Sequence, residues 1–300
     1  MVDTSAHALR RQNTVAREAS VTGFGYWNNQ DVTVKFRPAK PHTGIVFVRT
    51  DLNPPVRIPA HLSHRIEVPR RTAISAASTN VEMVEHVMAA LVGAQIDNCE
   101  VEINGPEVPG CDGSALPFLQ AMREAGIEPQ AAHRPRLVVV ERTRVADQDA
   151  WIEARPLPRG APPGMHLQYR MDYGINHILG RQTYRATFEP NHFSREIAPA
   201  RTFLLKEEAD WLRQQGMGTR TSYQDLLVFA DPEGLIGNQL RFEDECVRHK
   251  TLDLVGDLAL VGHDLVGQFV AYRSGHRLNA SLGRALLAEG KIIDSHRASA

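Results

Sequence analysis

Three side chains in the segment 241–257 (RFEDECVRHKTLDLVGD) are spaced to share one face of a helix. His249 lies four residues before Asp253 and eight before Asp257, and steps of four residues drift by only ~40° around an α-helix. A neutral imidazole and a carboxylate one turn apart can reach the same divalent ion. The alternative is a solvated polar face with i,i+4 pairs, and the stripe alone does not decide between the two.

A second candidate for chemistry is the pair Glu85–His86 in the helical pattern VEHVMAAL. Adjacent helix residues point ~100° apart, so the two side chains do not easily ligate one ion. One can ligate while the other addresses a water molecule on that ion, which is how a carboxylate serves as general base beside a metal. For an isolated Glu-His pair, the alternative is a half-exposed helix edge.

Two further motifs place polar groups on expected loops. His276 follows a predicted strand and a glycine in YRSGHRLN, a position that suits proton transfer or oxyanion stabilisation. The motif ARTF (200–203) offers the Thr202 hydroxyl and the Phe203 ring. A polar loop residue is the simpler interpretation of the first motif by itself, and the second is weak alone.

Taken together, these motifs resemble one family, the zinc-dependent UDP-3-O-acyl-N-acetylglucosamine deacetylases of lipid A biosynthesis. The matching segments follow the family order and cover most of the chain. The long and specific ones are RFEDECVRHKTLDLVGDL, VEHVMAAL and DNCEVEINGPEVPGCDGSALPF, and the shorter ones are RPA, RTDLNPPV, ARTF, GH (262–263) and YRSGHRLN.

The resemblance implies a metal site. By matching position, His86, His249 and Asp253 correspond to the three protein ligands of a Zn²⁺ ion, with Fe²⁺ as the alternative metal in the cell. Three protein ligands plus water are typical of catalytic rather than structural zinc.

The resemblance also implies catalytic groups. Glu85 matches the general base, and His276 matches the histidine that stabilises the oxyanion or protonates the leaving amine. Asp257 matches the carboxylate that orients this histidine, and Thr202 matches an oxyanion-stabilising threonine. These residue types suit amide hydrolysis, which needs a strong nucleophile at neutral pH and donors for the developing negative charge.

Four positions match substrate-binding residues of the family. Lys250 corresponds to a lysine that would attract the pyrophosphate of a UDP-sugar together with nearby arginines. Phe203 would flank the sugar or the acyl chain, and Asp172 with Tyr173 stands where relatives hold uracil with an Asp-Phe pair. The implied reaction hydrolyses the N-acetyl group of UDP-3-O-acyl-N-acetylglucosamine to acetate and the free amine.

One segment departs from the family pattern. The usual G-x-G-L-H-x-G reads GFGYWNN here, so Tyr26 and Trp27 replace the Leu-His pair that lines the active site. No implied ligand is lost, and the change therefore concerns acyl-chain selectivity more than hydrolysis. It motivates one alternative, a zinc amidohydrolase that acts on another N-acetylated sugar nucleotide. A second alternative is a catalytically silent relative that binds a nucleotide-sugar or a partner protein, against which the intact ligands and base argue.

Composition and charge restrict the class of protein. The 300 residues are 42% hydrophobic and 23% charged, which is typical of a soluble globular protein. A formal net charge of −1 gives no global basic excess, so we expect no nucleic acid partner. The three cysteines form no CxxC motif, which argues against a disulfide framework.

Location and assembly follow from similar arguments. No stretch has the apolar length of a secretory signal or a membrane span, so we expect a cytoplasmic protein. The expected partner is the small-molecule substrate, a UDP-linked acylated sugar. We favour a monomer. The sequence does not decide whether the protein contacts the membrane peripherally to reach its lipidic substrate.

Strands and helices occur in runs rather than in alternation, which predicts an α+β fold. The resemblance implies two similarly built domains, each a sheet layered with helices, with the active site between them. The segment EPQAAHRPR (128–136) reads as a linker, so we predict an N-terminal domain at 1–130 and a C-terminal domain at 131–300.

Local patterns predict individual elements. A capping box of Thr79 and Glu82 predicts the start of a helix in 81–94. Alternation in 31–39 and 43–52 predicts strands of an antiparallel sheet. A last helix is expected from about Asn279 to Glu289, after the loop that carries His276.

Overall fold

The computed structural model describes residues 9–294 and confirms the predicted α+β class, since several sheets pack with helices. A π-helical turn covers Phe193–Ile197. The helices are α1 (Val84–Gly93), α2 (Leu116–Ala125), α3 (Pro190–His192), α4 (Lys206–Gln214), α5 (Glu245–Ala259) and α6 (His276–Glu289). Among the described residues, no helix combines the length and the apolarity that crossing a membrane would require.

The first group of strands is β1 (Arg11–Val15), β2 (Ala19–Phe24), β3 (Asp31–Pro38), β4 (Ile45–Arg49), β5 (Val56–Pro59), β6 (Arg65–Ile66), β7 (Ala73–Ala76), β8 (Thr79–Glu82), β9 (Cys99–Ile103) and β10 (Ile127–His133). They form a five-stranded sheet in the order β2-β3-β9-β4-β5, a three-stranded sheet in the order β6-β7-β8, and the ribbon β1-β10.

The second group is β11 (Arg136–Val138), β12 (Thr143–Asp147), β13 (Ala150–Arg155), β14 (Met165–Asp172), β15 (Arg181–Thr187), β16 (Phe203–Leu205), β17 (Leu227–Ala230), β18 (Gly234–Leu235), β19 (Asp264–Tyr272) and β20 (Lys291–Ile293). A seven-stranded sheet is centred on β19, which pairs with β11, β13 and β14, and β16-β17-β18 form a smaller sheet. Within residues 9–294 no strand pairing joins the two groups. We propose that they correspond to the two domains expected from the sequence.

The segment 128–136 is not the irregular linker that the sequence suggested. Residues 127–133 form β10, which pairs antiparallel with β1, with Val15 opposite Ile127. Pro129 is compatible with this two-stranded ribbon, because a strand with one neighbour needs no ladder bond on its other side. Two prolines were therefore a poor signal for a linker, and β10 runs through the expected boundary at residue 130.

The first helix begins later than predicted. Thr79 and Glu82 do not cap it, because both lie in β8, which forms a hairpin with β7. Met83 then adopts a left-handed backbone conformation with φ of 59°, and α1 begins at Val84. Pairing with β7 outweighs the local capping pattern.

Two further expectations need correction. The strands predicted in 31–39 and 43–52 exist as β3 and β4, but their sheet is mixed: β9 lies between them, antiparallel to β3 and parallel to β4. The last helix begins at His276 rather than near Asn279, with Gly275 before it. His276 therefore belongs to the first turn of α6 and not to a loop.

Helices α1 and α5 cross in the core at a glycine. A Cβ atom on Gly256 would lie 2.0 Å from the carbonyl oxygen of Glu85, so only glycine permits this approach. The contact brings the first turn of α1, with Glu85 and His86, against the middle of α5. Helix packing thus places His86 beside His249, although 163 positions separate them in the sequence.

Candidate active site

The polar stripe on α5 is buried. His249, Asp253 and Asp257 are 2%, 4% and 1% exposed. The interpretation of a solvated helix face is therefore wrong. Buried charged and imidazole groups are costly unless they are paired or bind a ligand, so their partners identify the site.

His86, His249 and Asp253 form a cluster in which one ligand atom from each lies within 4.8 Å of the others. The Nε2 atoms of His86 and His249 lie 3.7 and 3.3 Å from Oδ1 of Asp253. The two imidazole rings are nearly perpendicular, with centroids 5.1 Å apart. Two imidazole nitrogens and one carboxylate oxygen converge on one point.

The protonation states of the cluster suit a cation. Nδ1 of His249 donates to the carbonyl oxygen of Ala200 (3.1 Å), which leaves Nε2 directed at the cluster. Burial lowers the pKa of His249 to about 3, so its imidazole is neutral. Burial alone would raise the pKa of Asp253, but the ammonium of Lys250 beside it holds that pKa well below its usual value. A neutral imidazole and an ionised carboxylate are zinc ligands.

Lys250 orients the carboxylate of this cluster. Its Nζ donates to Oδ2 of Asp253 at 2.7 Å, which leaves Oδ1 facing the two histidines. The same ammonium lies 5.8 Å from the ring centroid of Phe203. Lys250 is thus positioned between the ligand cluster and an aromatic wall.

Glu85 is buried beside the cluster at 4% exposure. The backbone N–H of Thr72 donates to its Oε2 at 3.0 Å. Burial raises the pKa of Glu85, and the nearby His276 and His86 offset this only in part. A carboxylate with a raised pKa is a stronger proton acceptor, as a general base at neutral pH requires.

His276 and Asp257 form a hydrogen-bonded pair. Nδ1 of His276 donates to Oδ2 of Asp257 at 2.9 Å. Burial lowers the pKa of His276, but the carboxylate of Asp257, together with those of Glu85 and Asp253, raises it by more, to about 9. Asp257 also accepts hydrogen bonds from Oγ1 of Thr72 (2.5 Å) and Nδ2 of Asn279 (2.8 Å). The imidazole is therefore held in place and protonated at neutral pH.

A cavity of about 580 Å³ contains the cluster and is lined by both groups of elements. All but two of the residues singled out in the sequence line it: Glu85, His86, Tyr173, Thr202, Phe203, His249, Lys250, Asp253 and His276. Asp257 lies behind His276. The Oδ1 of Asp172 accepts hydrogen bonds from Arg181 and Gly174, and its Oδ2 accepts one from Tyr272.

Tyr26 and Trp27 both line the cavity. The Tyr26 hydroxyl lies 2.5 Å from the carbonyl oxygen of Asp225 and 3.0 Å from that of Cys111, so it joins segments from both halves of the chain. The Tyr26 ring packs directly against Gly110, since a Cβ atom on Gly110 would lie 1.9 Å from a ring carbon. Tyr26, one of the two residues that depart from the family pattern, is thus a packed part of the cavity wall.

Sequence reasoning missed several residues of the site. Thr72 and Asn279 bond the carboxylates behind the cluster, and neither belongs to a pattern that signals chemistry. Arg70, Lys206 and Arg273 line the cavity and add positive charge. The expectation of arginines near Lys250 was the one signal in the sequence for Arg70 and Arg273.

Comparison with known proteins confirms the resemblance. The family model of UDP-3-O-acyl N-acetylglycosamine deacetylase matches residues 12–288. Proteins named UDP-3-O-acyl-N-acetylglucosamine deacetylase from Haemophilus influenzae (strain PittEE) and Actinobacillus succinogenes are 39% and 38% identical to this chain over 281 residues. Each alignment covers 93% of this chain and 90% of the relative. The chain therefore belongs to the UDP-3-O-acyl N-acetylglycosamine deacetylase (LpxC) family.

Proposed function

We propose that this chain hydrolyses the N-acetyl group of UDP-3-O-acyl-N-acetylglucosamine to acetate and the free amine, a step of lipid A biosynthesis. The observation that carries the proposal is the convergence of His86, His249 and Asp253 in one cavity with Glu85 and His276. Relatives that carry the activity in their names support the choice of substrate.

His86, His249 and Asp253 would hold the metal, for which we propose Zn²⁺, with Fe²⁺ as the alternative in the cell. When bound, the ion supplies a water molecule of lowered pKa and a positive charge beside the carbonyl oxygen. The donor set supports this assignment, because the imidazole of His249 is neutral and Asp253 is ionised.

Glu85 would act as general base. Its raised pKa suits it to take a proton from the attacking water, and the N–H of Thr72 holds the carboxylate in place. Burial keeps bulk water from competing for this proton. Glu85 directly precedes His86, so base and ligand are delivered by the same helical turn.

His276 would donate a proton to the leaving nitrogen. It is protonated at neutral pH, and the bond from Nδ1 to Asp257 leaves Nε2 as the donor. The Thr202 hydroxyl would donate to the oxyanion of the tetrahedral intermediate. Thr202 is held at the cavity by a bond from its backbone N–H to the carbonyl oxygen of Gly113 (2.8 Å).

The remaining cavity residues would bind the substrate. Lys250 and Arg273 offer positive charge to the pyrophosphate. Phe203 would flank the sugar or the acyl chain, and Tyr173 would stack on uracil with Asp172 as its hydrogen-bonding partner. We further propose a cytoplasmic monomer that contacts the membrane peripherally, because its substrate carries an acyl chain.

Metal analysis coupled to acetate release tests the proposal. Chelator-treated protein should lose acetate release from UDP-3-O-acyl-N-acetylglucosamine, and one equivalent of Zn²⁺ should restore it. Full activity of metal-free protein would contradict the proposed mechanism, and stoichiometric zinc without acetate release would favour a silent relative. Equal turnover of the compound without its 3-O-acyl chain would favour the alternative sugar-nucleotide substrate.

A further inference from the structure

Thr72 is fully buried between α1 and α5, and each of its polar groups bonds to one of these helices. Its carbonyl oxygen accepts the N–H of Val84 (3.2 Å), and its own N–H donates to Oε2 of Glu85 (3.0 Å). Its hydroxyl donates to Oδ1 of Asp257 (2.5 Å). The backbone of Thr72 is thus tied to the first turn of α1, and its side chain is tied to α5.

These bonds form one continuous path between two groups of the proposed mechanism. The path runs from Glu85 through the backbone N–H and the hydroxyl of Thr72 to Asp257, and from Oδ2 of Asp257 to Nδ1 of His276. The general base and the proton donor come from α1 and α6. Two residues outside both helices, Thr72 and Asp257 of α5, connect their positions.

We propose that Thr72 is a positioning residue that sets the general base Glu85 and the proton donor His276 relative to each other. The inference rests on the proposed function. Nothing in the sequence around RRTAIS signals it, because the role depends on contacts with residues 13 and 185 positions away.

The hydroxyl, rather than the shape of Thr72, carries this role. His276 and Asn279 both bond Oδ2 of Asp257, whereas Oδ1 accepts the Thr72 hydroxyl. A buried carboxylate oxygen that loses its donor is destabilised, so the carboxylate turns toward another donor. His276 is bonded to the same carboxylate and would move with it.

The test compares T72V, which keeps the shape and removes the hydroxyl, with T72S, which keeps the hydroxyl. We expect T72V to lower kcat by about 10- to 100-fold, with KM and bound metal within about twofold of wild type. T72S should recover most of the lost turnover. If T72V does not fold, T72A is measured in the same way.

A matched control is available at Thr143. Its hydroxyl donates to the carboxylate of Glu289 (2.6 Å), and the residue is 8% exposed, but it does not line the cavity. T143V therefore removes the same kind of bond outside the site, and kcat should stay within about twofold of wild type. Equal kcat values for T72V and T143V would overturn the proposal.

A double-mutant cycle tests whether Thr72 acts through Asp257. In a D257A background, T72V should cost at most about a further twofold, because the bonded partner is already absent. Full additivity of the two losses would show that the hydroxyl acts elsewhere and would overturn the proposed path.

A proton NMR measurement separates this inference from the proposed function. The Nδ1 proton of His276, bonded to a carboxylate, should give a downfield resonance that disappears in H276A. T72V should shift or broaden this resonance, whereas T72S and T143V should retain it. No substrate is needed, so a lack of acetate release would count against the proposed function alone, and an unchanged resonance in T72V would count against the role of Thr72.

Discussion

The inner and outer ends of the cavity differ in how their side chains are held. At the inner end, His86, His249 and Asp253 are at most 4% exposed and project from two helices packed together at Gly256. At the outer end, Tyr173 is 43% exposed and follows directly after β14. The carboxylate of Asp172, the last residue of that strand, accepts hydrogen bonds from Gly174, Arg181 and Tyr272.

This difference indicates that the inner end of the cavity is the preorganised part of the site. The inner end has its geometry set by helix packing before a substrate arrives, as electrostatic catalysis requires. At the outer end a uracil would have to compete with Arg181 and Tyr272 for the oxygens of Asp172. Changes at the inner end should therefore affect metal binding and kcat, and changes at the outer end should affect KM.

The largest effects on metal content and turnover are expected from substitutions at the inner end of the cavity. H86A should lose stoichiometric metal and lower turnover by at least about a thousandfold, because one of the three proposed ligands is removed. E85A should keep the metal and lower turnover by about 10²- to 10⁴-fold, since it removes the proposed general base. Metal content by mass spectrometry and acetate release distinguish the two. Loss of metal in E85A would show that Glu85 is a ligand rather than a base.

The next effect concerns the packing that holds the inner end. In G256A the added Cβ would meet the Glu85 carbonyl oxygen at 2.0 Å, which forces α1 away from α5. We expect a loss of about 1–3 kcal/mol in the free energy of unfolding and weaker metal binding. G105A is the control, because a Cβ there meets its nearest atom, on Val32, at 3.4 Å. Equal metal affinity in both variants would contradict the role of this crossing.

The pH dependence sharpens the comparison further. The pKa of His276 is raised from 6.5 to about 9, so the protonated form is present below pH 9 and is lost as the pH rises through this value. The rate should fall along an alkaline limb near pH 9. D257N removes the charge that raises the pKa, so the limb should move toward pH 6.5. A pH–rate profile for acetate release measures this, and an unmoved limb in D257N would assign it to another group.

The smallest effect is expected at the outer end. D172A should raise KM by about three- to tenfold and leave kcat within about twofold, because it removes uniform binding rather than transition-state stabilisation. R181A removes one of the two donors to Oδ1 of Asp172, the other being the N–H of Gly174, and should not raise KM. Steady-state kinetics with the UDP-linked substrate measures both. A lower kcat at unchanged KM in D172A would place Asp172 in the chemistry.

Prediction from sequence succeeded where the signal was local or chemical. The i,i+4 spacing of His249 and Asp253 was readable because a helix repeats every ~3.6 residues, and both residues lie in α5. Strands β3 and β4 followed from alternation. The pairing of β10 with β1 and of β8 with β7 was missed, because each depends on a partner strand that leaves no trace in the segment itself.

Residue chemistry and helical periodicity, both readable from the chain alone, nominated the stripe of His249 and Asp253 and the Glu85–His86 pair as candidates, and the resemblance to the family supplied the set of three metal ligands. They could not show that His86 meets the α5 pair, since this depends on two helices approaching at Gly256. Nor could they show the burial that neutralises His249, or the bonds of Thr72 to two carboxylates. Desolvation and hydrogen-bond partners arise from residues distant in the chain, and so they come into being only when the chain is folded.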